Sequence, residues 1–280
     1  MTNIIRADVY RIVRGKGLYI TLAVFLAIII LQIVGGVNMN AGVNLQFDEF
    51  IDLTDFDMEN FDIGSLNLSD IFYSPTGAES PFQVMEASSN ILYLLLPLII
   101  FISAADFSSG AAKNTLAGGT SRAKFYCAKL VLSCVCCALM LLTYVVLSIL
   151  AATLVNGFGG TFDGAYLMSV LKIFLPQLWL CIAGVSVGNF FVFAFQKSAA
   201  VNGFFIAFLL VPSILILSLS FISDWFEKLF DYELTMCIGS LAQIDTLPTG
   251  GIVRIVAVGT GYLLIAAIGG FAVFKRAEIK

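Results

Sequence analysis

The sequence predicts an all-α integral membrane protein. We expect six transmembrane helices, an amphipathic interfacial helix at the amino terminus, and short re-entrant or interfacial outer helices between spans five and six. The 280 residues are 59% hydrophobic and only 12% charged, with a mean hydropathy of +0.96. A soluble domain of this length fills its core with fewer apolar residues. We therefore expect one transmembrane domain over residues 1–280.

Six apolar segments are each long enough to cross a bilayer, which takes roughly 20 residues of α-helix. Charges are nearly absent from them, and no Lys or Arg appears between Lys16 and Lys113. Such segregation of charged from apolar sequence is typical of spans joined by loops. The expected spans are approximately Leu18–Val37, Ser88–Ala105, Leu130–Val155, Leu171–Phe195, Ala199–Ile222 and Gly251–Phe274.

The distribution of Lys and Arg predicts the orientation, because short cytoplasmic loops retain positive charge. An even number of spans and a cytoplasmic amino terminus leave only Lys172, Lys228 and Arg254 at or beyond the outer boundary. We therefore expect a multi-pass protein of the cell membrane with both termini in the cytoplasm. Twelve of the 15 basic residues then lie inside, namely Arg6, Arg11, Arg14, Lys16, Lys113, Arg122, Lys124, Lys129, Lys197, Lys275, Arg276 and Lys280.

Six cysteines raise the question of disulfides, but four of them fall within expected spans. Cys127 is expected in the cytoplasm and Cys237 alone on the outer side, so neither has an intramolecular partner. We interpret all six as small, polarizable packing residues. The chain contains no His. With no metal-ligand set or nucleophile–base pair visible, the sequence predicts neither a metal site nor catalytic residues.

Residues 1–16 are the first of four segments outside the spans, and they predict an amphipathic interfacial helix. Its basic residues, Arg6, Arg11 and Arg14, lie largely away from one apolar stripe. A basic face suits anionic headgroups or an acidic partner surface, and a plain juxtamembrane anchor is an equal alternative. The apolar stripe consists of Ile5, Val9, Ile12 and Val13.

The second segment, residues 106–127, is a short basic loop between spans two and three. Asp106 or Ser108 is expected to cap a short helix, Gly118-Gly119 to end it, and Ser121 to cap the next helix. A short helix across the cytoplasmic mouth is a natural lever, whereas the alternative is a solvated loop that only follows the positive-inside rule. The polar surface of the loop carries Lys113, Asn114, Arg122 and Lys124.

From Asp106 to Lys129 the chain resembles the permease (membrane-domain) subunits of bacterial type-2 ABC exporters, in particular those for bacitracin, lantibiotics and other antimicrobial peptides. Family members more often begin this stretch with Glu, so Asp106 is a conservative departure. The topology and the length agree over the whole chain, but these two dozen residues carry the resemblance. After the acidic residue and a Ser-Gly turn come Lys113-Asn114, a Leu-Ala pair, Ser121-Arg122, Phe125-Tyr126 and Lys129.

The resemblance implies an ATP-driven exporter in a bacterial cell membrane that moves amphipathic or hydrophobic substrates, membrane-active peptides among them, out of the cell. Two permease chains, as a homodimer or a heterodimer, would join two separately encoded ATPase subunits. Residues 1–16 would be an elbow helix. ATP and Mg would bind the partner, because this chain has no G-x-x-x-x-G-K-[ST] phosphate loop. The coupling residues would be Asp106, Lys113, Asn114, Ser121, Arg122, Lys124 and Phe125.

The third and fourth segments face outward in this topology. Residues 38–85 combine acids with Phe and predict a partly folded acidic cap that attracts cationic peptides. The alternative is that the carboxylates only solvate an extracellular loop. Residues 223–249 predict an outer helical segment with Trp225 and Tyr232 at the membrane interface. The acids of the cap include Asp48, Glu49, Asp52, Asp55, Asp57, Glu59 and Asp62.

Polar residues inside the spans carry an unfavourable free energy of insertion and are often functional. Most are amides, for which we favour hydrogen bonds between helices. Lys172 and Arg254 are expected to snorkel outward or to pair with Glu86. No chain of acidic residues runs through the expected spans, which argues against an ion-coupled secondary transporter. The alternative class is an ATPase-independent membrane protein, either a secondary transporter or a receptor or assembly factor. The residues concerned are Gln32, Asn90, Lys172, Gln177, Asn189, Asn202 and Arg254.

Overall fold

The structure is a computed structural model that describes residues 2–34, 75–86, 91–223, 225–241, 244 and 249–277. Every regular element in these ranges is helical. A π-helical turn, Ile100–Ala104, joins α4 to α5, and a 3₁₀ helix, Phe226–Tyr232, precedes α10. The α-helices are α1 Thr2–Arg14, α2 Lys16–Val34, α3 Ser80–Glu86, α4 Ile91–Ile99, α5 Ala105–Ser108, α6 Ala111–Ala117, α7 Arg122–Asn156, α8 Gly164–Phe195, α9 Ser198–Ser220, α10 Leu234–Ser240 and α11 Thr249–Arg276.

Five helical stretches are long and apolar enough to cross a membrane. They are Ile91–Ser108, which runs from α4 through α5, the helices α7, α8 and α9, and most of α11. Helices α1 and α2 are bent by 58° at Gly15 and supply a sixth span if the pair counts as one. The prediction of an all-helical bundle with several apolar helices of spanning length is therefore confirmed.

Helix α8 forms the centre of the bundle and packs along α11. The two helices approach closely at Gly259, where a Cβ atom would lie 2.8 Å from Leu180 and 3.1 Å from Trp179. At Gly270, nearer the carboxyl end of α11, a Cβ would lie 2.6 Å from the Tyr126 hydroxyl of α7. Small residues at these points let the backbones approach, which is how helices gain packing contacts in an apolar solvent.

The helix ends gather into two groups. One group contains α1, α5, α6, the beginnings of α7 and α9, and the ends of α8 and α11; we call it the basic end. At the opposite end, the N–H groups of Gly77 and Ala78 donate to the carbonyl oxygens of Gly157 and Phe158, at 3.0 and 2.8 Å. The described cations of the basic end are Arg6, Arg11, Arg14, Lys16, Lys113, Arg122, Lys124, Lys129, Lys197, Lys275 and Arg276.

Between α9 and α11 the structure has two short helices at the opposite end. The 3₁₀ helix exposes Tyr232, whereas α10 buries Leu234, Cys237 and Ile238. Glu233 separates the two helices, because its carboxylate accepts from the Met236 N–H at 2.7 Å and caps α10. The expected outer segment is thus built from two short helices with different environments.

Arg254 pairs with Asp231 at 2.6 Å, and both side chains are about half exposed or less. The predicted alternative, a pair with Glu86, falls on a side chain outside the described residues. The acidic cap from Asp48 to Asp62 also lies outside them, as do Gln32 and Asn90 as side chains.

Candidate functional site

The basic end contains a cluster of four charged side chains, three of them buried and Arg11 partly exposed, which we call the ion cluster: Asp8, Arg11, Asp106 and Lys129. The Nζ atom of Lys129 lies 2.7 Å from the Asp8 carboxylate, and Arg11 lies 3.2 Å from it. Asp106 is paired with both Arg11 and Lys129. Lys129 is 1% exposed, Asp8 6% and Asp106 5%. Two acidic and two basic side chains are therefore paired, and three of the four are buried.

The backbone supplies the remaining hydrogen bonds of the ion cluster. The Ile102 carbonyl oxygen, in the π-helical turn, accepts from Lys129 Nζ at 3.0 Å and from Arg11 Nη2 at 2.9 Å. Buried charges are tolerated only when they are paired and hydrogen-bonded. A π-helical turn shifts the register of a helix and is frequent at functional sites. Here the turn directly precedes α5, which carries Asp106, and its Ile102 carbonyl oxygen contacts both basic side chains.

The ion cluster joins three elements that are distant in the sequence. Asp8 and Arg11 lie on α1, Asp106 on α5, and Lys129 on α7. Burial raises the pKa of Asp8 from its ordinary value, although its hydrogen bond with Lys129 opposes the shift. A movement of α5 relative to α7 or α1 must therefore either carry the other helices along or separate buried charges.

The structure shows which residues of α1 face the bundle. Ile12 is buried and Ile5 packs against the core, but Val9 and Val13 of the same expected stripe are exposed. Arg11, expected on an outer basic face, is instead directed into the ion cluster. The pairing of Asp8 and Arg11 with Lys129 and Asp106 turns this side of α1 towards the bundle and leaves Val9 and Val13 on the exposed side.

Helix α6 lies between α5 and α7 and is bounded by glycines. Gly110 precedes it with φ 71°, and Gly118 and Gly119 follow, the latter with φ 89°. The prediction that this pair ends the short helix is confirmed. The prediction of an Asp106 or Ser108 cap is wrong, because Asp106 lies within α5 and the Ser108 hydroxyl donates to the Ala105 carbonyl.

The exposed side chains of this region form a small polar surface. Lys113 and Asn114 on α6 are exposed, and so are Ser121 and Lys124 at the start of α7. The Ser121 hydroxyl accepts from the Lys124 N–H at 3.4 Å, so the predicted cap of α7 is confirmed. We call Lys113, Asn114 and Lys124 the α6 surface.

Beneath α6 lies an aromatic cluster drawn from four elements. The Phe193 ring centroid is 5.6 Å from that of Phe107 and 4.8 Å from that of Phe274, and the Phe125 centroid is 5.9 Å from that of Phe274. Ala112 of α6 packs into this cluster and is fully buried. Phe125, expected among the coupling residues, is 1% exposed and serves as packing for α6.

The Arg122 side chain caps the carboxyl end of α11. Its guanidinium donates to the carbonyl oxygens of Phe274, Lys275 and Ala277, at 2.8, 2.9 and 2.8 Å. A cation at a helix carboxyl terminus satisfies unpaired carbonyl groups and interacts favourably with the helix dipole. Arg122, expected on the polar surface of the loop, therefore tethers α7 to α11.

Two of the amides inside the bundle, Asn189 and Gln177, form hydrogen bonds between helices, as predicted for them. Asn189 is fully buried; its carbonyl accepts from Ser103 at 2.9 Å and from Ser133 at 3.4 Å. Gln177 is also fully buried and donates to the Met85 carbonyl. Asn202, in contrast, is exposed on α9. These bonds link α8 to α3, α7 and the π-helical turn.

The cysteines and acids of the described residues form no reactive or metal-binding centre. All six cysteines are free, and Cys237 is buried. Burial raises the pKa of its thiol to about 12, so the protonated, unreactive form dominates. Among the described residues, no group of three or more His, Cys, Asp or Glu side chains is placed to hold a metal ion.

Comparison of the chain with protein-family models, with curated proteins and with solved structures found no match. The basic end thus has three parts, which are the ion cluster, the aromatic cluster and the α6 surface.

Proposed function

We propose that this chain is the membrane-spanning permease subunit of an ATP-driven exporter that works with a separately encoded ATPase subunit. The observation that carries the proposal is α6, a short helix between two apolar helices of spanning length. It offers Lys113 and Asn114 outward while Ala112 is held in the aromatic cluster. A partner that contacts the α6 surface acts on a seated helix and not on a loose loop.

The connections of α6 favour a role in transmitting movement. On one side, α5 carries Asp106 into the ion cluster with α1 and α7. Below α6, the aromatic cluster joins α7, α8 and α11. Lys129 contacts both clusters, because its Nζ atom lies 5.4 Å from the Phe125 ring centroid. Displacement of α6 would therefore reach α1, α7, α8 and α11 through these contacts.

The charge distribution supports a cytoplasmic location for the basic end. Eleven described cations lie there, whereas Lys172, Lys228 and Arg254 lie towards the other end. The positive-inside rule then places α6 and α1 where a cytoplasmic ATPase is accessible. In this proposal ATP and Mg bind the partner, two copies of each subunit form the unit, and α1 is its elbow helix.

The proposed cargo follows from the resemblance to the exporter permeases. We propose amphipathic or hydrophobic molecules, with membrane-active peptides as the first class to test. The acidic cap from Asp48 to Glu59 and Asp62 would attract cationic peptides electrostatically. A matching assay is growth in the presence of bacitracin or a lantibiotic, with and without expression of the chain and its ATPase.

Co-purification with an ATPase tests the central claim. The tagged chain is expressed in its native cells, extracted in mild detergent and purified through the tag, and the co-purifying proteins are identified by mass spectrometry. A double variant, Lys113→Glu with Lys124→Glu, should lose the ATPase while its melting temperature stays unchanged, because both residues are exposed. Lys228→Glu at the opposite end is the matched control and should retain it. Failure of the unaltered chain to bind any ATPase would overturn the proposal.

An ATPase-independent secondary transporter is the alternative, and the ion cluster is the observation that favours it. Buried acids such as Asp8 and Asp106 occur in proton-coupled transporters. Their complete pairing with Arg11 and Lys129 weighs against a free proton site. Transport by the purified chain alone in liposomes, driven by a pH gradient and without ATP, would establish this alternative.

A further inference from the structure

The outward face of α1 combines exposed apolar residues with two arginines. Val9 is 42% exposed, Tyr10 59% and Val13 51%, and Arg6 and Arg14 are exposed beside them. We propose that this face binds the headgroups of anionic phospholipids in the bilayer. The proposal needs only that α2 enters the membrane, so it does not depend on an ATPase partner.

The ion cluster determines which face of α1 is presented. Asp8 and Arg11 are held by Lys129 and Asp106, and Ile12 is buried beside them. A helix with 3.6 residues per turn then directs Arg6, Tyr10 and Arg14, spaced by four, to the opposite side. Rotation of α1 about its axis would withdraw the buried Asp8 and the partly exposed Arg11 from their partners, so the outward face is fixed.

The charges on this face have one sign. Asp8 is the only acid in α1, and it is used inside the ion cluster. Arg6 and Arg14 therefore present two guanidinium groups without a competing carboxylate from their own helix. Guanidinium groups bind phosphate oxygens in a bidentate manner. Arg14 also lies over the Tyr10 ring, 4.7 Å from its centroid, which orders its side chain.

The position of the face matches the depth of a headgroup layer. Helix α1 is joined at Gly15 to the apolar helix α2 and is inclined to it by 58°. A helix that turns away at the end of a membrane-crossing helix lies near the interface, where Tyr and Arg are favoured. Val9 and Val13 would contact the upper acyl chains. An acidic protein surface would satisfy the arginines but would leave no reason for the exposed valines.

Lipid retention by the full chain tests this assignment. The protein is incorporated into nanodiscs with equal amounts of phosphatidylglycerol and phosphatidylcholine, extracted in detergent, and analysed by native mass spectrometry for retained lipid. The unaltered chain should retain phosphatidylglycerol in preference. The double variant Arg6→Gln with Arg14→Gln should lose that preference, by about fivefold per arginine. A melting temperature equal to that of the unaltered chain in a zwitterionic detergent confirms that the variant is folded.

A second double variant separates this face from the general charge of the basic end. Lys113→Gln with Lys124→Gln also removes two exposed positive charges there and should keep the preference. Equal loss in both double variants would overturn the proposal, since it would show attraction by net charge alone. Absence of any preference in the unaltered chain would overturn it as well and would point to a protein partner for α1. In either case, continued co-purification of an ATPase with the chain would leave the proposed function intact.

Discussion

The Nζ atom of Lys129 lies 2.7 Å from a carboxylate oxygen of Asp8, although 121 positions separate the two residues. This contact attaches the first helix of the chain to α7, and Asp106 with Arg11 closes the set. Because the four charges balance, the loss of any one leaves a buried charge without its counterpart. The ion cluster is therefore a stability determinant with a clear mutational signature.

Removal of the Lys129 charge should destabilise the protein strongly. In Lys129→Met, Asp8 and Asp106 share only Arg11, and breaking a buried pair typically costs about 3–5 kcal/mol. Thermal unfolding in detergent, followed by circular dichroism, measures the loss. Lys124→Met, on an exposed position of the same helix, is the control and should change stability by less than about 0.5 kcal/mol. Equal effects of the two substitutions would contradict the buried pairing.

Arg11 and Asp106 should be energetically coupled. In a double-mutant cycle, Arg11→Gln and Asp106→Asn together should cost less than the sum of their separate effects, with a coupling energy of roughly 0.5–3 kcal/mol. Arg254→Gln and Asp231→Asn form a matched pair that is more exposed, and such pairs couple by about 0–1 kcal/mol. Strict additivity at positions 11 and 106 would show that the two side chains do not interact.

Asp8 should give the protein a distinct pH dependence. Burial raises its pKa above the ordinary value of 3.8, so the fold favours the protonated carboxyl. Its stabilising contribution is then largest below the unfolded pKa and declines as pH rises through the folded value. Lys129, Arg11 and Asp106 are the charged groups around it. As the pH rises above the ordinary value of 3.8, the melting temperature of the unaltered chain relative to Asp8→Asn should therefore fall. A difference that does not change as the pH rises would contradict the shift.

The apolar helices and the cap of α7 were predictable because both depend on local sequence. A span is stabilised by its own backbone hydrogen bonds in lipid, and the Ser121 cap reaches only as far as Lys124. The ion cluster was not predictable in the same way, because it depends on contacts over many positions and on the rotation of α1. A periodicity that counts only apolar residues puts Arg11 on the polar face of α1, whereas in the structure Arg11 pairs with Asp106. The useful signals were Asp8 and Lys129, single charges beside otherwise apolar faces.

Arg122 should behave as a structural residue and Lys113 as a surface residue. Arg122→Glu places a carboxylate against three carbonyl oxygens of α11, so we expect a loss of about 1–3 kcal/mol in stability. Lys113→Glu should leave the melting temperature unchanged and weaken only ATPase binding. Arg122→Gln, which keeps an amide donor, should fall between them. If Arg122→Glu and Lys113→Glu melt alike, the contact between Arg122 and α11 is not formed.

Labelling of introduced cysteines should place the basic end in the cytoplasm. In a background with Cys127→Ser, the remaining native cysteines are buried or half-buried, and burial keeps the Cys237 thiol protonated with a pKa of about 12. Lys113→Cys and Phe162→Cys then introduce exposed thiols at opposite ends of the bundle, since Phe162 is 70% exposed. A membrane-impermeant maleimide applied to intact cells should label position 162 and spare position 113. Inverted membrane vesicles should give the reverse. Labelling of position 113 from outside would invert the topology and would remove α6 from the reach of any cytoplasmic ATPase.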